Sequence, residues 1–285
     1  MTIKRIVFRT YIRLLEKLCL SHPAKNCFQA NLSLHPLSKG NQSTDIVTIA
    51  FNNDQIIPIH IEYIQKYWQD EHTHIIADNS TDKKVSENIK TYCVEHGVSY
   101  IRLPKNFQRR SYSHATALNW VYKHVISKRR PAFFGFTDHD LFPYKAVSLV
   151  KTLQTQHIYG PLRVRGVEGK YWYISAILCF FDFNFVRDKN PDFMPVRYGN
   201  DLRNFMDTGG GNWLRIYSKI DQSKIIFCKE RLEKIGNGDD RHNDFVEIFD
   251  DTFLHTINGA DLQYDEEQIH QSKNWQLREL IGRFE

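Results

Sequence analysis

The sequence lacks any window of about eighteen uninterrupted apolar residues, so it predicts no helix that could span a membrane. Its five cysteines are odd in number and show no CxxC spacing, which argues against a disulfide framework or a zinc site and favours reduced thiols in a cytoplasm. The formal net charge of +5 is mild, so no nucleic-acid partner is expected, although anionic ligands are favoured. The 285 residues, 41% of them apolar, are enough for one large core.

The start of the chain imitates a secretory signal without completing one. Charged residues, among them Arg9, Arg13 and Glu16, interrupt its apolar run. The apolar residues recur at helical spacing and predict a retained amphipathic helix: Ile3, Val7, Tyr11, Leu14, Leu15 and Leu18. We favour an arm packed on the main domain over a membrane-surface helix, because the polar face is not purely cationic. The expected location is the cytoplasm, with peripheral contact at the inner face of the membrane as the alternative.

Between residues 45 and 150, short apolar runs alternate with helical patterns. Strands are predicted in DIVTIAF, HTHIIAD, VSYIRLP and AFFGFTD, and each of the first three is followed by a helix. This alternation predicts an α/β fold with a mainly parallel sheet covered by helices on both faces. Beyond residue 145 the pattern becomes irregular, without a convincing internal repeat.

Polar clusters follow three of the predicted strands. They are Asn52-Asn53-Asp54, Asp78-Asn79 and Asp138-His139-Asp140. Because the carboxyl ends of parallel strands meet at one edge of a sheet, the clusters are expected to converge on one crevice. Two carboxylates at positions i and i+2 suit Mg²⁺ or Mn²⁺ shared with substrate phosphates. A helix cap and a turn before Pro143 are the alternative for the last cluster.

The ordered segments DIVTIAFNN, IIADNSTD, SHATALNW and FFGFTDHDLFP resemble the nucleotide-binding half of GT-A-fold, family 2-like glycosyltransferases. The resemblance implies one catalytic domain with a Rossmann-like, mixed and mainly parallel sheet. It divides the chain into an N-terminal helix and linker (1–44), a nucleotide-sugar-binding half (45–150), and an acceptor-binding half with a C-terminal helix (151–285). It also implies an enzyme of surface polysaccharide or glycoconjugate synthesis. Such an enzyme passes a sugar, with inversion, from a nucleoside diphosphate sugar to a carbohydrate or lipid-linked acceptor.

Carried over to this sequence, the resemblance places Ala50, Phe51 and Asn52 along the base and ribose pocket. Asp78 would accept a hydrogen bond from the base edge, and a donor such as the uracil imide favours a UDP-sugar. Helix capping is the alternative role for Asp78, although Ser80 and Asp82 are also available for it.

The resemblance also implies a basic residue near the diphosphate, for which Arg110 is chosen over Arg109. Asp138 and Asp140 would carry Mn²⁺ or Mg²⁺, and Asp138 would also border the nucleotide sugar. His255 is expected as the third metal ligand, with a buried structural histidine as the alternative. His139 is expected to be a spacer whose side chain points away. His114 could reach the phosphates, although a histidine at such a helix start is more often structural.

Transfer to a hydroxyl needs a base, for which Asp207 in FMDTGGGNW is the first choice. Three glycines would give close backbone access, and Trp213 would stack on an acceptor sugar. A turn aspartate is the alternative reading of Asp207, and Asp239 and Asp240 are the reserve bases.

Three other functions compete with glycosyl transfer. A sugar-nucleotide nucleotidyltransferase would carry a glycine-rich basic signature after the first strand, and AFNNDQIIP has none. A metal-dependent phosphoesterase could use the same aspartates and histidines without a sugar acceptor. A carbohydrate-binding protein without catalytic activity is the third alternative.

Overall fold

The structure, a computed structural model, describes residues 3–37, 42–241, 244–257 and 277–285. Its α-helices are α1 (Ile3–Ser21), α2 (Ile56–Tyr67), α3 (Lys83–Glu95), α4 (Arg110–Val121), α5 (Ser127–Arg129), α6 (Val150–Gln156) and α7 (Phe183–Val186). A π-helical stretch, Tyr122–Ile126, joins α4 to α5, and residues 277–282 are also helical. Short 3₁₀ turns lie at Ala24–Asn26, Val167–Gly169, Arg187–Lys189, Leu202–Asn204, Gly210–Asn212, Tyr217–Lys219 and Gln222–Lys224.

The strands are β1 (Gln29–Ala30), β2 (Thr44–Ala50), β3 (His72–Asp78), β4 (Ser99–Arg102), β5 (Phe133–Asp138), β6 (Leu141–Pro143), β7 (Ile158–Tyr159), β8 (Leu162–Arg165), β9 (Tyr171–Ile174), β10 (Leu178–Asp182), β11 (Val196–Arg197), β12 (Phe205–Met206), β13 (Glu230–Lys234), β14 (Phe245–Phe249) and β15 (Phe253–His255).

The main sheet has the strand order β1-β4-β3-β2-β5-β10-β7. Its central strands β4, β3, β2 and β5 run parallel, whereas β1, β10 and β7 pair antiparallel at the two sides. This topology confirms the predicted mixed, mainly parallel sheet flanked by helices. Its strands come from both sides of residue 150, and the domain boundaries at residues 44 and 150 stay predictions.

Strand β2 shows why helices cover both faces of the sheet. All seven of its residues are buried, as expected for a central parallel strand. Val47 packs with Leu118 of α4 on one face, whereas Ala50 packs with Ile57 of α2 on the other. Burial of one such aliphatic side chain contributes about 1.5–3 kcal/mol, so the strand is held from both sides.

A smaller antiparallel sheet has the strand order β13-β14-β15-β6. Its strand β6 follows β5 after the short turn that contains Asp140. His255 of β15 lies opposite Leu141 of β6, and the Thr256 amide donates to the Asp140 carbonyl at 3.0 Å. This pairing places a late segment of the chain beside the carboxyl end of β5.

Helix α1 lies against α4, as the predicted helical arm requires. Arg13 donates to the Glu16 and Asp192 carboxylates at 2.7 Å each. Asn119 of α4 donates to the other oxygen of Glu16, also at 2.7 Å. Among the described residues, no helix is both long enough and apolar enough to cross a membrane.

The network around Asp192 predicts a stability difference between two nearby aspartates. Asp192 is buried and accepts from Arg13, Asn119 and the Met194 amide, whereas Asp188 is largely exposed. Breaking a buried charge network is costly, so Asp192→Asn is expected to lower the free energy of unfolding by about 3 kcal/mol. The control Asp188→Asn is expected to lower it by less than about 1 kcal/mol. Urea unfolding followed by circular dichroism measures both, and equal losses would contradict the assigned role.

Candidate functional site

The carboxyl ends of the central strands converge, as predicted, and hydrogen bonds tie them together. The Asn79 amide after β3 donates to the Ala50 carbonyl at the end of β2, at 2.9 Å. The Asn79 side chain donates to the Ser113 hydroxyl in the first turn of α4, at 3.1 Å. The Phe51 amide donates to His139 Nδ1 after β5, at 3.2 Å. One crevice is therefore bordered by three strand ends and the start of α4.

Asp138, Asp140 and His255 form a cluster at this crevice. Each offers one oxygen or nitrogen atom, and these three atoms lie within 4.8 Å of one another. His255 Nε2 is 3.4 Å from an Asp140 oxygen, and both side chains are buried. The Asp138 side chain is about a quarter exposed, so the cluster opens to the crevice on its side. The predicted metal-ligand set is thus brought together.

Glu247 of β14 orients the imidazole of His255. A Glu247 oxygen lies 2.8 Å from His255 Nδ1, which leaves Nε2 directed at Asp140. A carboxylate behind a histidine is the arrangement that fixes the ring of metal-bound histidines. The other Glu247 oxygen accepts from Arg241 at 3.1 Å. Sequence reasoning missed Glu247, because its only local signal is an acidic residue in an otherwise apolar strand, FVEIF.

The charges of this cluster are strongly coupled. Burial alone would lower the pKa of His255, but the flanking Asp140 and Glu247 outweigh burial and raise the pKa to about 10. Burial alone would raise the pKa of Asp140, but His255 outweighs it and holds the pKa at about 2. Burial raises the pKa of Asp138, with Asp140 acting in the same direction and His114 against it. Asp140 and Glu247 thus both favour the charged form of the His255 ring.

The donor set fits a divalent metal ion. Two carboxylates and one imidazole suit Mn²⁺ or Mg²⁺, and the partly exposed side of Asp138 leaves room for a ligand that completes the coordination. Such an ion would replace the proton on His255 Nε2, whereas Nδ1 would keep its proton toward Glu247.

Asp78 is fully buried, and its carboxylate is used by the protein. One oxygen accepts from the Ser80 amide at 2.8 Å. The other oxygen accepts from the Ser86 hydroxyl and from Tyr100 at 2.9 Å, and it forms an ion pair with Arg102 at 3.0 Å. Three donors and one ion pair thus occupy most of the roughly four acceptor sites of the carboxylate. The contact of Asp78 with a base edge stays a prediction, and a base would have to share these oxygens.

The residues that follow β2 and β3 are also joined by hydrogen bonds. Asn52 donates to the Thr81 hydroxyl at 2.9 Å, and its side-chain oxygen accepts from the amides of Thr81 and Asp82. The cap of α3 is Asp82, which accepts from the amides of Lys84 and Val85, so capping does not require Asp78.

The other predicted nucleotide-binding residues differ in exposure. Ala50 is buried, Phe51 is partly exposed, and Arg110 is exposed at the first position of α4. Asn52 and Arg110 have positive φ angles of 45° and 51°, which non-glycine residues rarely adopt. Residues held in such conformations cluster at ligand sites, and the binding roles of these residues stay predictions.

Asp207 lies beside the start of α4. Its carboxylate accepts from the Thr208 amide at 2.8 Å, and the Thr208 hydroxyl donates to the Ser111 carbonyl at 3.3 Å. Trp213 is partly buried, and its ring meets Tyr171 edge to face at 5.7 Å. The catalytic role of Asp207 and the acceptor role of Trp213 stay predictions.

The glycine run after Asp207 is closely packed, and its role in backbone access for an acceptor stays a prediction. Gly209 has a φ of 96°. A Cβ on Gly211 would lie 2.5 Å from the Asp192 carbonyl oxygen. Gly210, Gly211 and Asn212 are buried, so this stretch lies inside the fold.

The two histidines around the acidic pair have different environments from those expected. His139 is buried and its Nδ1 accepts the Phe51 amide, so it ties β5 to β2 and is more than a spacer. Burial lowers the pKa of His139, which suits a neutral ring that accepts a hydrogen bond. His114 lies 3.3 Å from an Asp138 oxygen, and this contact places its ring at the crevice.

A buried polar layer lies among the central strands and was missed by sequence reasoning. The Thr48 hydroxyl contacts His60 at 2.8 Å, His74 at 2.9 Å and Thr137 at 2.9 Å. Burial lowers the pKa of His60 to about 3 and that of His74 well below its usual value, so both rings are neutral. Single polar residues inside apolar runs are the only sequence signal of this layer.

No protein-family model matches the sequence, and no curated protein matches it. Similar solved structures include a mannosyltransferase from Pyrobaculum calidifontis in complex with GDP-Man and Mn²⁺, at 14% identity and a TM-score of 0.39, over 63% of this chain and 53% of that one. The galactosyltransferase LgtC, solved with donor and acceptor sugar analogues, is similar at 12% identity and a TM-score of 0.36, over 50% of this chain and 63% of that one. S. aureus TarS in complex with UDP-GlcNAc is similar at 13% identity and a TM-score of 0.36, over 53% of this chain and 48% of that one.

The chain thus spans only about half to under two thirds of these three structures. Sequence identities and TM-scores at this level carry no functional conclusion.

The link between Glu247 and His255 predicts a difference in metal affinity between two glutamates. Loss of a carboxylate behind a metal-bound histidine weakens binding by about 10–100-fold, and this loss is expected for Glu247→Gln. The control Glu233→Gln, on the neighbouring strand β13 and about 42% exposed, is expected to leave the affinity unchanged. Isothermal titration with Mn²⁺ measures both, and an unchanged affinity in Glu247→Gln would refute the orienting role.

Proposed function

We propose that the protein is a metal-dependent glycosyltransferase of the GT-A type, which moves a sugar from a nucleoside diphosphate sugar to a hydroxyl group of an acceptor. The observation that carries this proposal is the cluster of Asp138, Asp140 and His255 at a crevice bordered by the converging strand ends. In parallel sheets such crevices are where nucleotides bind.

The metal site supports this chemistry because the leaving group is a diphosphate. Asp138, Asp140 and His255 would hold Mn²⁺ or Mg²⁺, with Asp138 on the side of the nucleotide sugar. When bound, the ion supplies positive charge that stabilises the departing diphosphate. Glu247 keeps His255 Nε2 directed at the site, so the protein holds the site in shape before the donor arrives.

The donor side is assigned to the ends of β2 and β3 and the start of α4. Ala50, Phe51 and Asn52 would border the nucleoside, and Asp78 favours the uracil base of a UDP-sugar. Arg110 would contact the diphosphate, where its guanidinium matches phosphate oxygens and the positive end of the α4 dipole adds to the attraction.

The acceptor side is assigned to residues after 150. Asp207 would take the proton of the attacking hydroxyl, which is the role of the base in an inverting transfer. Trp213 would stack on a carbohydrate ring of the acceptor. A carbohydrate or lipid-linked acceptor would place the enzyme in surface polysaccharide or glycoconjugate synthesis in the cytoplasm. The two functional halves would be residues 45–150 and 151–285, preceded by the helix and linker of residues 1–44.

Binding of the donor is tested by thermal shifts with UDP-, GDP- and CDP-sugars, with and without Mn²⁺. Ligand binding to the native state raises the unfolding temperature by mass action, so a UDP-sugar is expected to raise it only when Mn²⁺ is present. Asp140→Asn is expected to abolish this rise, and Asp188→Asn to retain it. No rise with any nucleotide sugar would overturn the proposed function. Hydrolysis of an aryl phosphate with Mn²⁺ would support a phosphoesterase instead.

The catalytic base is tested separately from the donor. Asp207→Asn is expected to reduce transfer to the acceptor by at least about 100-fold, because general base catalysis contributes about 10²–10⁴-fold. The same variant is expected to keep the Mn²⁺-dependent thermal shift, since Asp207 lies outside the metal cluster. Release of the nucleoside diphosphate measures the transfer. Full activity in Asp207→Asn would move the base assignment to Asp239 or Asp240.

A further inference from the structure

Helix α1 presents an apolar stripe to solvent. The stripe consists of Val7, Tyr11, Leu14 and Leu18, whose exposed fractions are 61%, 55%, 56% and 56%. At about 100° per residue, these four side chains fall within about 60° of arc on the helix. Contiguous exposed apolar surface of this kind marks a site of interaction with a partner or a membrane.

The opposite face of α1 is fixed to the domain. Ile12, Glu16 and Cys19 are buried there, and Ile12 packs with Ala115 of α4. This packing holds α1 along the protein surface, so the stripe can meet another surface only side-on.

The charges beside the stripe are basic. Arg9, Arg13 and Lys17 flank it and, with Thr10 and Leu14, line a shallow depression of about 340 Å³. Glu16 is the only acidic residue in the sequence of α1, and it is buried against Asn119 and Arg13. Arg13 is paired with Glu16 and Asp192, so Arg9 and Lys17 supply the positive charge of the polar side of this part of α1. From the sequence, a membrane-surface helix was disfavoured because the polar face of α1 is not purely cationic. The burial of Glu16 removes this objection, since no other acidic residue belongs to α1.

We propose that α1 docks the protein side-on to an anionic lipid surface. The stripe enters the boundary between headgroups and acyl chains, and the basic flank meets lipid phosphates, as interfacial amphipathic helices do. A second copy of the chain fits less well in an antiparallel two-fold pairing of α1 stripes, because that pairing would bring the basic sides of the two helices together. The charge pattern therefore favours lipid as the occupant.

The stripe begins close to the acceptor side of the crevice. The Phe8 ring meets the Tyr112 ring of α4 edge to face at 5.8 Å. The next residue back, Ser111, accepts from Thr208, the neighbour of Asp207. Docking through α1 would thus hold the acceptor side near a membrane, where a lipid-linked acceptor resides. The choice of acceptor rests on the proposed function, whereas docking itself does not.

Vesicle co-sedimentation of the full chain tests the docking. Vesicles of phosphatidylcholine with added phosphatidylglycerol are expected to bind the protein at least about tenfold better than phosphatidylcholine alone, and added salt should weaken this binding. The double variant Leu14→Asp/Leu18→Asp is expected to lose at least about tenfold in vesicle binding. The control Leu202→Asp, at a leucine with 74% exposure outside α1, is expected to bind as the unchanged protein does.

The outcomes separate docking from the other proposals. Failure of the unchanged protein to bind anionic vesicles, or equal loss in Leu202→Asp, overturns docking through α1. A dimer in solution that the double variant dissociates, without vesicle binding, assigns the stripe to a second copy and also overturns it. The thermal shift with a UDP-sugar and Mn²⁺ is read on the same variants. A retained shift shows that the variants are folded, and it keeps failure of docking distinct from failure of the proposed function.

Discussion

The candidate site depends on the pairing of β15 with β6. This register places His255 opposite Leu141, directly after the turn that holds Asp140. Without the pairing, His255 would not lie beside Asp140, although it would still face Glu247 across β14 and β15. The main sheet supplies the converging strand ends, but the small antiparallel sheet assembles the cluster. The chemistry of the early half therefore relies on a contact made by the late half.

The sequence was sufficient to predict the parallel part of the sheet, because its strands are continuous apolar runs separated by clear helical patterns. β2, for example, is buried along its whole length. The same logic placed Asp138 and Asp140 at a strand end, since the polar cluster follows an apolar run directly. These predictions depend only on local pattern and on the common edge that parallel strands share.

Other features could not be predicted, because they depend on contacts between distant segments. Glu247 looks like an ordinary strand residue until β14 pairs with β15. Asp78 looks available for a ligand until Tyr100 and Arg102, from another strand, reach its carboxylate. The burial of Glu16 likewise appears only when α1 meets Asn119. The roles of these side chains could therefore be assigned only from the tertiary structure, even where the helix or strand that carries them could be predicted from the sequence.

The contacts of His255 with both Asp140 and Glu247 affect how the site could hold an ion. His255 holds Asp140 and Glu247 together through its two ring nitrogens, and these two carboxylates with one imidazolium leave one negative charge uncompensated within the three. An ion held by the three side-chain atoms of Asp138, Asp140 and His255 would have coordination positions left for other oxygen ligands, so the protein alone would hold it only partly enclosed.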